Sequence, residues 1–396
     1  MWRRTGGLVV LALLAACSSG GVEALPDPVT ITTTTIATTT TAPTTTTTTA
    51  PTTTTTTAPT TTTTTLAPEP EAETDIGVLA AFVEERSGLV FEELPEITEA
   101  TISRDEIGVD PGFFVDERLW NLFVPLRLVG PDDDRLAAGQ ARLDQVRGVC
   151  CPVLMFENDD HPLLRSMVVV HELTHLIDRQ RSLVRGPNSD EPLRFDVAVL
   201  EGNAQRVAFD YRAELIARGA HPSRFDFDWA DPRIPAAVLE VLEFPYEEGA
   251  VLSAALAERG GIELAVQAFD RLPVSSEQVL DVDAYLDDER PLEVAAPEPP
   301  RTAEITDAGT MGAFVLRLLA ARTLDPEAAH DLAVSWAGDR YVLYERTGRS
   351  CLVATVVLDD AEAAATFVEV ARGSGLGAVA AEPGTPERIT LRGCAA

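Results

Sequence analysis

No lysine occurs among the 396 residues, so all 31 basic side chains are arginines, against 63 Asp and Glu and a formal charge of −32. Such acidity excludes nucleic acid as a partner, because phosphate binding needs a basic patch. It also opposes adsorption to an anionic membrane face. Aromatic residues make up only 6% of the chain. No apolar run approaches the roughly 20 residues that a membrane-spanning helix needs. Histidine and cysteine are scarce, at five each, so their positions are informative. What is present, 45% apolar residues over this length, is enough for one large or two ordinary domains.

Residues 1–16 read as a secretion signal. Arg3 and Arg4 open it, and Leu8 to Ala16 form a short apolar core. The segment ends Leu14-Ala15-Ala16-Cys17 before Ser18-Ser19-Gly20-Gly21, which resembles the lipobox of bacterial lipoproteins. That resemblance implies cleavage before Cys17 and a lipid on its sulfur. The protein is then exported and held on the extracytoplasmic face of the membrane through the lipid alone. Residues 17–72 form the tether. Threonine dominates 30–65, broken by Ala-Pro at 42–43, 50–51 and 58–59. This low-complexity repeat has no apolar face to bury. In polyproline II residues 18–72 span about 170 Å.

Globular composition begins near residue 73. Apolar spacing predicts helices at 75–86, 116–129, 133–146, 162–183 and 192–218, with further helical segments to about 290. Residues 96–102 and the run Gly148–Phe156 read as strands, the latter with Pro152 at an edge or bulge. A Pro-rich stretch at 293–300 marks a boundary. Beyond it, helices near 309–322, 326–336 and 360–373 alternate with strands near 340–346, 351–358 and 387–393. The expected class is α+β and mainly helical, with a first domain over 73–298 and a small C-terminal α+β module over 301–396.

The helix at 162–183 contains His171-Glu172-Leu173-Thr174-His175. His171 and His175 stand one turn apart, so both imidazoles leave one face and can grip one metal ion. Glu172 projects beside that ion, where it can take a proton from a water. Accidental occurrence of the motif is expected in roughly 0.6% of chains of this composition. Zinc needs a third protein ligand and an open position. The next histidines, His221 and His330, are far along the chain, so a carboxylate fits better. Glu201, in Leu200-Glu201-Gly202-Asn203-Ala204-Gln205, lies on the next predicted helix, and the small Gly202 and Ala204 let it approach. Asp178, Asp190, Glu191 and Asp196 compete for the role.

This pattern resembles the gluzincin metallopeptidases, such as thermolysin and neprilysin, in which zinc sits between a strand-bearing lobe and a helical lobe. The resemblance implies one zinc ion held by His171, His175 and Glu201, with Glu172 as general base hydrolysing a peptide or protein substrate. The neprilysin group continues its Glu-x-x-Ala with Asp, where this chain has Gln205; Asp178 or Asn203 can substitute around the ligands. More narrowly, the chain resembles uncharacterised bacterial exported zinc-peptidase-like lipoproteins. The similar segments include Phe244-Pro245-Tyr246-Glu247-Glu248-Gly249, Arg259-Gly260-Gly261 and Pro273 to Leu280. Tyr246 is the candidate oxyanion donor, with Tyr211 and His221 as rivals. The alternative is a catalytically silent zinc-binding relative that binds an envelope protein or polymer through the same cleft.

Cys351 opens one predicted strand and Cys394 closes the last, so an exported chain can bridge them. Neighbours Cys150 and Cys151 read as small buried strand residues. Asp132-Asp133-Asp134 and Asp287-Asp288 lack the Asp-x-Asp-x-Asp-Gly pattern of a calcium loop and read as caps or turns.

Overall fold

The computed structural model describes residues 69–94, 110–149, 155–156, 161–181, 183, 189–226, 230–382 and 384–395. The signal, nearly all of the tether, the strand expected at 96–102 and the Cys150-Cys151 pair lie outside these residues. The described chain is α+β and mainly helical.

The first helices are α1 (Ile76–Ser87), α2 (Glu117–Leu126) and α3 (Arg135–Leu143). They start at Asp75, Asp116 and Asp134, whose carboxylates each accept backbone N–H groups of the first turn. The Asp132–Asp134 run is thus partly a helix cap. The Gly148–Phe156 run is not one strand. It is two short ones, β1 (Gly148–Val149) and β2 (Met155–Phe156), paired antiparallel with Gly148 opposite Phe156. Pro152, expected at an edge or bulge, lies outside the described residues.

Two long helices follow. α4 (Pro162–Gln180) starts with Pro162 in its first turn and with the His161 ring accepting the Leu163 N–H. α5 (Phe195–Ala217) packs along it. Both are buried over most of their length, which explains why their sequences show apolar residues nearly all round. α6 (Ala236–Gly260) crosses α5. The short helices α7 (Ile262–Gln267), α8 (Ser276–Leu280) and α9 (Val282–Leu286) complete this part. Among the described residues no helix is long and apolar enough to cross a membrane.

After residue 300 come β3 (Glu304–Gly309), α10 (Ala313–Ala320), α11 (Pro326–Ala333), β4 (Trp336–Arg346), β5 (Arg349–Leu358), α12 (Ala361–Gly373), β6 (Gly377–Glu382) and β7 (Thr385–Cys394). The strands form one antiparallel sheet in the order β3-β4-β5-β7-β6. The helix expected from 309 starts only at Ala313, because 304–309 is strand. β3 and β6 escaped the sequence reading because they are edge strands. Glu-Ile-Thr-Asp-Ala-Gly and Gly-Ala-Val-Ala-Ala-Glu have weak strand propensity and no clean alternation. In β4 and β5 the two faces separate by period two: Tyr341, Leu343, Leu352 and Ala354 enter the main core, while Val342, Tyr344, Cys351 and Val353 form a small cluster on the other side. Cys351 and Cys394 stand directly opposite in the β5–β7 register and are joined by a disulfide.

The main core does not stop at the Pro-rich boundary. It runs from Leu122 and Phe123 of α2 through Phe244 of α6 to Phe314 of α10 and Leu391 of β7. A second cluster joins α1, α4 and the C-terminal half of α5.

Candidate metal centre

α4 presents His171 and His175 from one face, and α5 presents Glu201 toward them. His171 Nε2 lies 2.9 Å from His175 Nε2, and Glu201 Oε2 lies 3.2 and 3.1 Å from the two nitrogens. Three ligand atoms in reach of one another can hold a metal ion. All three residues are buried. Burial pushes the His171 pKa down to about 4, which keeps its ring neutral and fit to coordinate. At His175 burial also opposes charge, yet the Glu201 carboxylate beside it raises the pKa to about 9. Glu201 is lowered despite burial, by the same pair of rings. In the metal-free state a proton on His175 therefore offsets the buried carboxylate.

Glu172 is fully buried, and among the described residues neither carboxylate oxygen has a hydrogen-bond partner. Burial raises its pKa to about 8. The β1 backbone lies across it: a Cβ on Gly148 would stand 2.4 Å from Glu172 Oε1. Only glycine leaves room there.

The surrounding residues sort clearly. Asn203 Nδ2 donates to both oxygens of Asp178, each at 3.2 Å, and Asn203 Oδ1 accepts from Arg206 at 3.0 Å. Asp178, pushed up to about 7 by burial, acts on His175 through space. Gln205, where the neprilysin-like pattern has Asp, is buried near His171 and favours the charged form of its ring. The Tyr246 ring stacks on His171 with centroids 6.3 Å apart. Burial raises the pKa of its hydroxyl well above the usual value, and the nearby Glu201 carboxylate adds to the rise. Tyr211 packs edge-on against Phe82 in the second core cluster. His221 is exposed and caps the turn at Pro222. The competing carboxylates are engaged elsewhere: Asp190 with Arg118 and Arg340, Asp196 with Arg194, and Glu191 with the Ser276 N–H.

Arg142 was invisible in the sequence reading. It lies on α3 with no exposed surface, its guanidinium 5.9 Å from the Tyr246 ring centroid, and it interacts electrostatically with Glu201. Nothing in a lone arginine on an amphipathic helix signals such a place; only the arrival of α6 over α3 creates it.

A cavity of about 520 Å³ reaches this centre from the side of Glu201 and Tyr246. Phe113, Leu119, Leu193, Val197 and Phe244 make its walls apolar. Arg118 and Arg194 also line it, each already paired with a carboxylate.

Against known families, residues 301–390 match a domain of unknown function, DUF8575. No curated protein and no solved structure matches the chain.

Proposed function

We propose that the protein is an exported, lipid-anchored zinc peptidase whose 73–298 region is a gluzincin-like domain. One observation carries the reading: His171 Nε2, His175 Nε2 and Glu201 Oε2 converge within 3.2 Å, beside a buried Glu172. Two imidazoles and one carboxylate suit zinc. Zinc bound there supplies the Lewis acidity that makes a water nucleophilic near neutral pH. Glu172, as a carboxylate beside the ion, accepts the proton of the attacking water and passes it to the departing amine. Tyr246 stands beside Glu201 as the hydroxyl donor to the developing oxyanion. Gln205 orients His171, and the Asn203–Asp178 pair supports His175. The apolar cavity admits a peptide or protein substrate. The lipid on Cys17 and the Thr-rich tether hold the domain outside the membrane, and no nucleic acid is bound.

A second reading is supported by the cover that β1 lays over Glu172: a silent relative that binds zinc and an envelope protein or polymer. Purified protein is assayed for zinc and for cleavage of a denatured protein mixture, alongside Glu172→Gln. The peptidase reading requires cleavage by the wild type and at least a hundredfold loss in the variant with zinc retained. Zinc without cleavage in either protein selects the silent relative, and equal cleavage by both rejects Glu172 as the base.

A further inference from the structure

Three lining residues of the cleft, Arg118, Glu191 and Phe244, are held by the chain after residue 300. Arg118 donates its Nε–H to Asp307 Oδ2 at 3.0 Å and a terminal N–H to the Ala308 carbonyl at 3.1 Å. The Tyr341 hydroxyl donates to the same Asp307 oxygen at 2.6 Å, which fixes that carboxylate in turn. Glu191 lies over Gly312, where a Cβ would stand 1.8 Å from its Oε2. Its other oxygen accepts from the Ser276 N–H at 3.0 Å, and the Ser276 hydroxyl accepts from the Phe314 N–H at 3.0 Å. The Phe314 ring meets Phe244 edge-on at 4.5 Å. Arg317, one turn further, pairs with Glu248 on the helix that carries Tyr246.

A separable module meets its neighbour through a modest, mostly polar surface. Here the joint is buried aromatic core, crossed by hydrogen bonds that end on cleft residues. Arg118 has two counter-ions, Asp307 and Asp190, so it shapes the wall instead of offering a free positive charge.

We propose that residues 301–390 brace the wall of the cleft from behind, and that Asp307 is a positioning residue that keeps Arg118 out of the substrate's path. The domain of unknown function thereby gains a role: it completes a site whose chemical groups lie before it in the chain. This rests on the reading of the cleft as the route to the metal centre.

The test uses the zinc-loaded full chain, wild type and Asp307→Ala, with three hydroxamate probes. One is acetohydroxamate, which reaches only the metal. The others are dipeptide hydroxamates bearing a Phe or an Asp side chain. In the variant, Arg118 loses one counter-ion and becomes free to turn into the cleft. The preference for the Phe probe over the Asp probe should fall about tenfold, with acetohydroxamate binding unchanged. A general loss of stability would weaken all three alike. Asp307→Asn, which keeps one acceptor, should fall between and serves as the test if the alanine variant does not fold. An unchanged Phe-to-Asp preference with intact acetohydroxamate binding overturns the proposal. Wild-type protein that holds zinc but binds no hydroxamate defeats the peptidase reading instead. Hydrogen exchange at the backbone amides of 117–126 then decides: faster exchange in Asp307→Ala supports the wall, and equal exchange overturns it.

Discussion

Gly249 lies with its backbone against Gly202, so close that a Cβ on Gly202 would stand 2.2 Å from the Gly249 carbonyl carbon. Glu201 precedes one of these glycines and Tyr246 lies one turn before the other. The crossing of α5 and α6 therefore sets the distance between Glu201 and Tyr246. A Cβ on Gly249 would stand 2.2 Å from the Ala198 carbonyl oxygen, which is backbone and cannot swing aside. Gly249→Ala should cost about 2–4 kcal/mol of stability and weaken zinc binding as Glu201 shifts. Thermal unfolding with and without zinc checks both; an unchanged melting temperature would refute the close crossing.

Gly148 lies against Glu172 and offers a test of its proposed role as general base. Gly148→Ala pushes a methyl group onto Glu172 Oε1. The expected result is a fall in kcat of about tenfold or more, with zinc content unchanged, because His171, His175 and Glu201 do not contact β1 in this way. Loss of zinc together with activity would show instead that β1 supports the metal ligands themselves.

The motif itself was legible because a helix repeats its face every turn: His171 and His175 had to emerge together, and Glu172 had to sit beside them. Glu201 was legible more weakly. Its selection over Asp190, Glu191 and Asp196 depended on small neighbours, and the contact of Gly202 with Gly249 shows those neighbours serving α6 rather than α4. Tyr246 could be singled out but not explained, since its place follows from that same crossing. Arg142 and Gly148 left no trace, because their surroundings are made by segments distant in sequence. In the sheet, β4 and β5 are legible from their apolar runs, whereas the edge strand β3 lacks a two-faced burial pattern and the β6 sequence has no clean alternation. The Pro-rich boundary was visible as composition, but composition is blind to the aromatic core that closes over it at Phe244 and Phe314.

Tyr246 separates binding of the metal from use of it. Tyr246→Phe keeps the ring that stacks on His171 and removes the buried hydroxyl near Glu201. On the proposed mechanism, loss of the oxyanion donor lowers kcat by about a hundredfold, while metal affinity stays close to that of the wild type. Steady-state kinetics at saturating zinc, with KM within about threefold of wild type, isolate that effect. Unchanged kcat would return Tyr246 to a purely packed role.

Glu191 lends the fold a pH dependence separate from the metal ligands. Burial raises its pKa from 4.5 to about 8, and Asp339 and Asp190 beside it add to the rise. Glu277, also raised to about 8 by burial, and Asp339, raised to about 6, act in the same sense. Between the unfolded value and the folded one, the native carboxyl keeps a proton that the unfolded chain has released. The native state then binds more protons, so stability falls as pH rises through that window. Glu191→Gln keeps an acceptor for the Ser276 N–H and removes the ionisable group. With metal chelated, it should melt several degrees higher than wild type at pH 8 and nearly the same at pH 5. Calorimetry at the two pH values decides it: equal pH slopes for the two proteins would mean that Glu191 stays ionised in the native state, held by a cation the present geometry does not place beside it.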